Sequence, residues 1–153
     1  MANKLFKKAV ANTIENLAKE LAEAKLLINH NPEWSTPIKF SERMAMGSNG
    51  IGLYKIIHKD GMITIYVGQG SVSARKNTHL RVFKNKGKMI KYGTSTWTKS
   101  EAASKMYEYD TDIENWFFSF CVLHDKAVSK EYETILIENE EPLFNSEYMA
   151  GVN

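Results

Sequence analysis

Apolar side chains recur at Phe6, Val10, Ile14, Leu17, Leu21, Ala24 and Ile28, in steps of three and four. That rhythm predicts a long amphipathic helix over residues 3–30, ending near Asn31-Pro32. The apolar stripe suits packing on the helix's own domain, and it also suits a helical partner. From Pro32 to Asn49 the periodicity lapses, and Pro37 with Gly47-Ser48-Asn49 predicts a surface connector. The expected division is therefore an N-terminal helix and connector at 1–49, followed by a main domain at 50–153.

The period then changes. β-Branched and aromatic residues crowd the stretch from Ile51 to Gly68, and Asp60-Gly61 offers a tight turn, so a β-hairpin is predicted. A two-residue loop would pair Lys55 with Tyr66 and send Tyr54 to the other face. A three-residue loop, Lys59-Asp60-Gly61 with a left-handed glycine, pairs Tyr54 directly with Tyr66 and is the register adopted. It places Leu53, Ile57, Ile63, Ile65 and Val67 on one face, and Tyr54, Ile56, Thr64 and Tyr66 on the other.

Ser71 or Ser73 caps the next helix, which is expected to reach about Lys86 and stop at Gly87, with Arg75, His79 and Phe83 on one stripe. A lysine-rich loop follows, then a short helix from Ser100 to Tyr109. Residues 116–123 form a strand apolar on both faces, which makes it central. A last helix is expected over about Ser129 to Asn139, ahead of Pro142. Helices and antiparallel strands in this order predict an α+β fold.

With 153 residues and 43% hydrophobic content, the chain can bury one good core. A lone Cys121 excludes an intramolecular disulfide framework, and neither a leader pattern nor a long apolar run is present, so no membrane association and a cytoplasmic location are expected. The net charge of +2 is small, but its distribution is uneven. No carboxylate occurs between Gly61 and Ser100, a stretch that carries Arg75, Lys76, Arg81, Lys84, Lys86, Lys88, Lys91 and Lys99. From Glu101 onward acids outnumber bases twelve to three. A phosphate backbone would be drawn to the middle of the chain, although a solvated lysine-rich surface gives the same pattern.

Several residues have types and placements that carry chemistry. Glu133 sits at the edge of its helix's apolar stripe beside Tyr132 and Leu136, where a carboxylate either holds a hard divalent cation or pairs with a surface lysine. Arg75 has the fork geometry to hold two phosphate oxygens, and it would stabilise the charge that grows on them in the transition state. One turn on, His79 can move a proton near neutral pH. Tyr54 and Tyr66 could be cross-strand packing alone, but Gly52 and Gly68 weaken strand interiors and are expected where another backbone approaches closely. Tyr54 is the leading candidate for general base or for positioning a nucleophile, with Tyr66 supporting it.

Gly52-Leu53-Tyr54, Tyr66-Val67-Gly68, Arg75, His79, Glu133 and Asn145, in that order, resemble the signature of the GIY-YIG nucleases. Leu53 and Val67 stand where the isoleucines that name the family occur, an apolar exchange. The resemblance implies a small three-stranded antiparallel sheet flanked by helices, and hydrolysis of DNA phosphodiesters, double-stranded DNA being the expected partner, with one Mg2+ or Mn2+ held by Glu133. It implies catalytic roles for Tyr54, Tyr66, Arg75, His79, Glu133 and Asn145. An insertion at about 84–114 is longer than the family's compact members carry, and DNA contacts are expected from Lys76, Arg81, Lys84, Lys86, Lys88, Lys91 and Trp97. Trp97 could equally be a buried anchor for the insertion. Only eight residues follow Asn145, so a separate C-terminal DNA-binding region is not expected. A stand-alone nuclease of restriction, phage or repair type is the reading, in a bacterial or phage-infected cell, with a weak or DNA-assisted homodimer. The alternative is a non-catalytic DNA-binding or interaction protein on the same scaffold.

Overall fold

A computed structural model describes residues 2–29, 32–44, 50–92, 96–98 and 100–145, with side chains described over 4–22, 32–44, 50–89 and 100–145. The chain forms two compact units, Met1–Pro32 and Glu33–Asn153. The first is helix α1 (Ala2–Asn29), one residue off the sequence expectation at each end. Its apolar positions Leu5, Phe6, Val10, Ile14, Leu17 and Leu21 are all exposed. The expected stripe members Ala24 and Ile28 have side chains outside the described ones.

The second unit is built on an antiparallel sheet. Its strands are β1 (Ile38–Lys39), β2 (Ile51–His58), β3 (Ile63–Ser71) and, after helix α2 (Val72–Lys84), the hairpin β4 (Ile90–Tyr92) and β5 (Thr96–Thr98), and helix α3 (Glu101–Tyr109), β6 (Trp116–Val122). Helix α4 (Lys126–Glu140) follows. The main sheet runs β1-β6-β2-β3, so it has four strands rather than the three expected. The added strand comes from the segment read as connector: Ile38 and Lys39 oppose Phe118 and Phe117. Upstream, the Ser35 N–H donates to the Phe120 carbonyl at 2.8 Å. Phe40 is then buried against Phe118, the ring centroids 5.6 Å apart. A two-residue strand is too short to leave a period in the sequence, which is why it read as loop.

β2 and β6 are the inner strands, as the two-sided apolar pattern of β6 predicts. The buried cluster of Ile56, Met106, Trp116, Phe118, Phe83 and Phe144 surrounds Tyr54. α2 supplies Phe83 and α3 supplies Met106 to that face. α4 packs against β2 and β3, where Lys55, on the opposite face of β2 from Tyr54, pairs with Glu140 at 3.0 Å.

The hairpin register departs from expectation. Tyr54 opposes Gly68 and Ile56 opposes Tyr66, with a register shift between Ile56 and Ile57. His58 opposes Ile63, so the loop spans four residues, and both Gly61 (φ 72°) and Met62 (φ 49°) are left-handed. The longer loop displaces the pairing and the bulge restores it, leaving Tyr66 on the Tyr54 face but diagonal to Tyr54. It also exchanges two neighbours: Ile65 enters the core cluster with Tyr54 and Ile56, while Thr64 opposes Ile57.

Candidate active site

Two glycines in the hairpin are required by close approach. A Cβ on Gly52 would overlap the Cys121 carbonyl of β6, and one on Gly68 would overlap the Tyr54 ring. Gly52 thus lets two backbones meet, as expected, while Gly68 clears room for a side chain. The Tyr54 ring lies across β3 and reaches α2.

There its hydroxyl is 2.9 Å from His79 Nε2. The Tyr66 ring is 6.1 Å from the Tyr54 ring between centroids, the two planes tilted by 40°. Burial holds the Tyr54 hydroxyl well above its ordinary pKa, with the Tyr66 phenol adding to the effect. Tyr66 is also raised, first by burial and then by the negative charge of Glu133.

His79 is buried and its second ring nitrogen, Nδ1, is 2.6 Å from the Ser100 hydroxyl. Burial, reinforced by the nearby Arg75 cation, depresses its pKa to about 3, so the ring is neutral at physiological pH. A neutral imidazole donates at one nitrogen and accepts at the other. If Nδ1–H donates to Ser100, Nε2 accepts the Tyr54 proton; the other tautomer reverses both bonds. Ser100 is itself fixed, because its hydroxyl oxygen accepts the Ala103 N–H at 3.1 Å and caps α3.

Arg75 is exposed on the first turns of α2, and its Nε lies where a Cβ on Gly70 (φ 134°) would fall, 2.7 Å away. Glu133 comes from α4 and is half-buried. Burial raises its pKa, opposed by Arg75, Lys130 and a hydrogen bond from the Gln69 N–H. Asn145 is buried beside the outer edge of β3, where its side-chain oxygen accepts the Val67 N–H at 2.8 Å and its amide donates to the Val67 carbonyl at 2.9 Å. This side chain satisfies both groups of one residue on an edge strand.

All six expected catalytic residues, Tyr54, Tyr66, Arg75, His79, Glu133 and Asn145, line one cleft of about 430 Å³. Ser100, Glu101 and Lys105 line it too, and the sequence pattern assigned them no role there. Ser100 was expected only as the first residue of a short helix, and its bond to His79 joins residues brought together by tertiary packing. Lys76, expected to contact DNA, is buried, with Nζ donating to the Phe40 and Glu42 carbonyls at 2.8 and 2.7 Å. Those bonds spend its donors inside the fold, and Lys76 is withdrawn from the expected DNA contacts. Arg81, Lys84, Lys86 and Lys88 are exposed away from the cleft lining. Lys91 opposes Trp97 in the β4–β5 hairpin, where a loop was expected, and the side chains of both lie outside the described ones.

Among the described residues, no group of three or more His, Cys, Asp or Glu side chains could hold a metal ion. A hard cation needs fewer when substrate phosphate and water complete its shell. Glu133 fits that use: its carboxylate opens on the cleft, and its raised pKa shows that Arg75 and Lys130 do not fully offset the cost of burying its charge. No helix among the described residues is long and apolar enough to cross a membrane. Compared with known proteins, the chain matches no family model, no curated protein and no solved structure.

Proposed function

We propose that the protein is a GIY-YIG-like endonuclease that hydrolyses phosphodiester bonds in double-stranded DNA. One observation carries this reading. Side chains from β2, β3, α2, α4 and the turn after α4, singled out by type and order in the sequence, converge on a single cleft. Tyrosine packing alone would not require an arginine, a neutral histidine and a half-buried carboxylate at the same place.

Each group has a task set by its surroundings. Arg75, exposed at the cleft and always charged, grips two oxygens of the scissile phosphate. Glu133 would hold Mg2+ or Mn2+, which when bound supplies Lewis-acid stabilisation of the phosphate charge. Tyr54, with Tyr66 beside it, accepts the proton of the attacking water while passing its own proton to His79 Nε2; the scissile P–O bond breaks as the new one forms, and the leaving oxygen takes a proton from solvent water. A buried phenol resists forming a phenolate, so handing the proton on as it receives one avoids that charged state. Burial is the larger cause of the depressed His79 pKa and the Arg75 cation the smaller; a bound phosphate offsets the smaller one and so eases formation of the imidazolium while substrate is present. In the tautomer this transfer needs, the Ser100 hydroxyl accepts the Nδ1 proton and leaves Nε2 free to accept. Asn145 has a positioning role, tying β3 beside Tyr66 to the end of α4 near Glu133. Incubation with supercoiled plasmid and Mg2+ tests the reading: nicked or linear product supports it, and intact plasmid with stable binding favours a non-catalytic DNA-binding protein.

A further inference from the structure

Among the described residues, helix α1 carries an exposed apolar face. Val10 is 41% exposed, Ile14 60%, Leu17 59% and Leu21 58%, values that belong to an uncovered surface. These positions recur in steps of four, three and four, and the sequence continues the alternation through Ala24 and Ile28. Strict alternation of this kind is a heptad seam, narrower than the stripe of a helix lying on a globular core.

In that phase Ile14, Leu21 and Ile28 take the first core position of each heptad, and Val10, Leu17 and Ala24 the second. Ile14 and Ile28 at the first position and Leu17 at the second are the combination that favours two parallel strands, from which Leu21, Val10 and Ala24 depart. The flanking positions decide orientation. Glu20 and Lys25 flank the seam on opposite sides, at the spacing that brings them together between two parallel copies. An antiparallel pair would set Glu20 beside Thr13, Glu20 or Leu27, and Lys25 beside Ala11, Ala18 or Lys25, with no opposite charges in reach.

We propose that α1 pairs with α1 of a second copy as a parallel two-stranded coiled coil. Both Glu33–Asn153 units then follow from the same end of the coil, and every assembly holds two clefts related by symmetry. This inference is independent of the nuclease reading, because mass is measured apart from cutting.

Sedimentation equilibrium of the full chain without DNA is the test. The wild type is expected at twice the chain mass, and Leu17→Asp at the chain mass with an unchanged melting curve for the main unit. That exposed substitution should raise the dimer dissociation constant on the order of 100-fold or more. Glu20→Lys alone and Lys25→Glu alone should each weaken the dimer by roughly three- to tenfold, and the double exchange should restore it. A wild type that stays at the chain mass at all concentrations overturns the proposal, as does α1-dependent binding to anionic lipid vesicles by a monomer. A dimer that survives Leu17→Asp overturns the coiled coil as its interface, and a dimer indifferent to the charge exchanges overturns the parallel pairing.

Discussion

His79 Nδ1 lies 2.6 Å from the hydroxyl of Ser100, a bond between α2 and the cap of α3 across 21 positions of sequence. Because α3 lies between α2 and β6, the segment joining them reaches into the cleft rather than merely flanking it. The other ring nitrogen meets Tyr54 at 2.9 Å, so the imidazole is held from both sides.

Ser100→Ala should lower kcat by about 10- to 100-fold with little change in DNA affinity, since loss of the Nδ1 partner frees the wrong tautomer. The lost cap costs about 1 kcal/mol of stability in the same variant. Ser100→Thr keeps an N-cap hydroxyl and should recover most of the activity. If alanine and threonine variants cut equally well and differ only in melting temperature, Ser100 serves the helix alone.

Tyr54→Phe should reduce cleavage by about 10²- to 10⁴-fold, the range for loss of a positioned acid–base group. It also leaves His79 Nε2 without its buried partner, so a fall in stability should accompany the loss. Tyr66→Phe, which removes only the supporting phenol, should be less severe. Single-turnover kinetics on a nicking substrate would rank the two, and the opposite order contradicts the assignment of Tyr54.

Stability should fall with acid in a way traceable to His79. Its folded pKa is about 3 against an ordinary 6.5, so between those values the unfolded chain binds a proton that the folded chain refuses. Stability is therefore retained above about pH 6.5 and lost as pH drops toward 3, by up to about 1.4 kcal/mol per pH unit. Asp110, held at about 2 by its bond to His58, adds a loss of the same sign only below 3.8. The raised carboxyl of Glu133 works in the opposite direction at the acidic side of the window. Denaturant melts of wild type and His79→Gln between pH 7 and 4.5 should differ in slope, the variant being flatter. Parallel curves would show that His79 titrates normally.

Lys84, Lys86 and Lys88 are exposed, and together with Lys91 they are proposed to meet backbone phosphates. Alanine at all four positions should weaken binding to every sequence alike and flatten the salt dependence by roughly 0.9 in log–log slope for each phosphate no longer neutralised. An unchanged slope would make them a solvated surface. Lys76 is left intact in that variant, because its bonds to Phe40 and Glu42 serve the fold.

Much of the molecule could be read from local pattern. α1, the hairpin, the short helix α3 and the central place of β6 followed from period and composition, properties that neighbouring residues decide among themselves. β1 did not, because Ile38 and Lys39 become a strand only through their partners Phe118 and Phe117. The pairing of Tyr54 with Gly68 was hidden by a bulge whose cost and benefit are set by packing at Ile65. Lys76 shows the same limit for charge: the sequence marks it as basic, and only the fold reveals carbonyls that draw it inward. The six residues of the cleft were named from order and type, while Ser100 was visible as the start of a short helix and not as its cap or as the partner of His79.

Glu133 is proposed to hold the metal on which cleavage depends. Supercoiled plasmid incubated with Mg2+ should be nicked or linearised by the wild type. Cutting should cease on chelation and fall on the order of 10³-fold or more in Glu133→Gln, while that variant still retards DNA in a gel. Cleavage by Glu133→Gln at the wild-type rate would contradict the account.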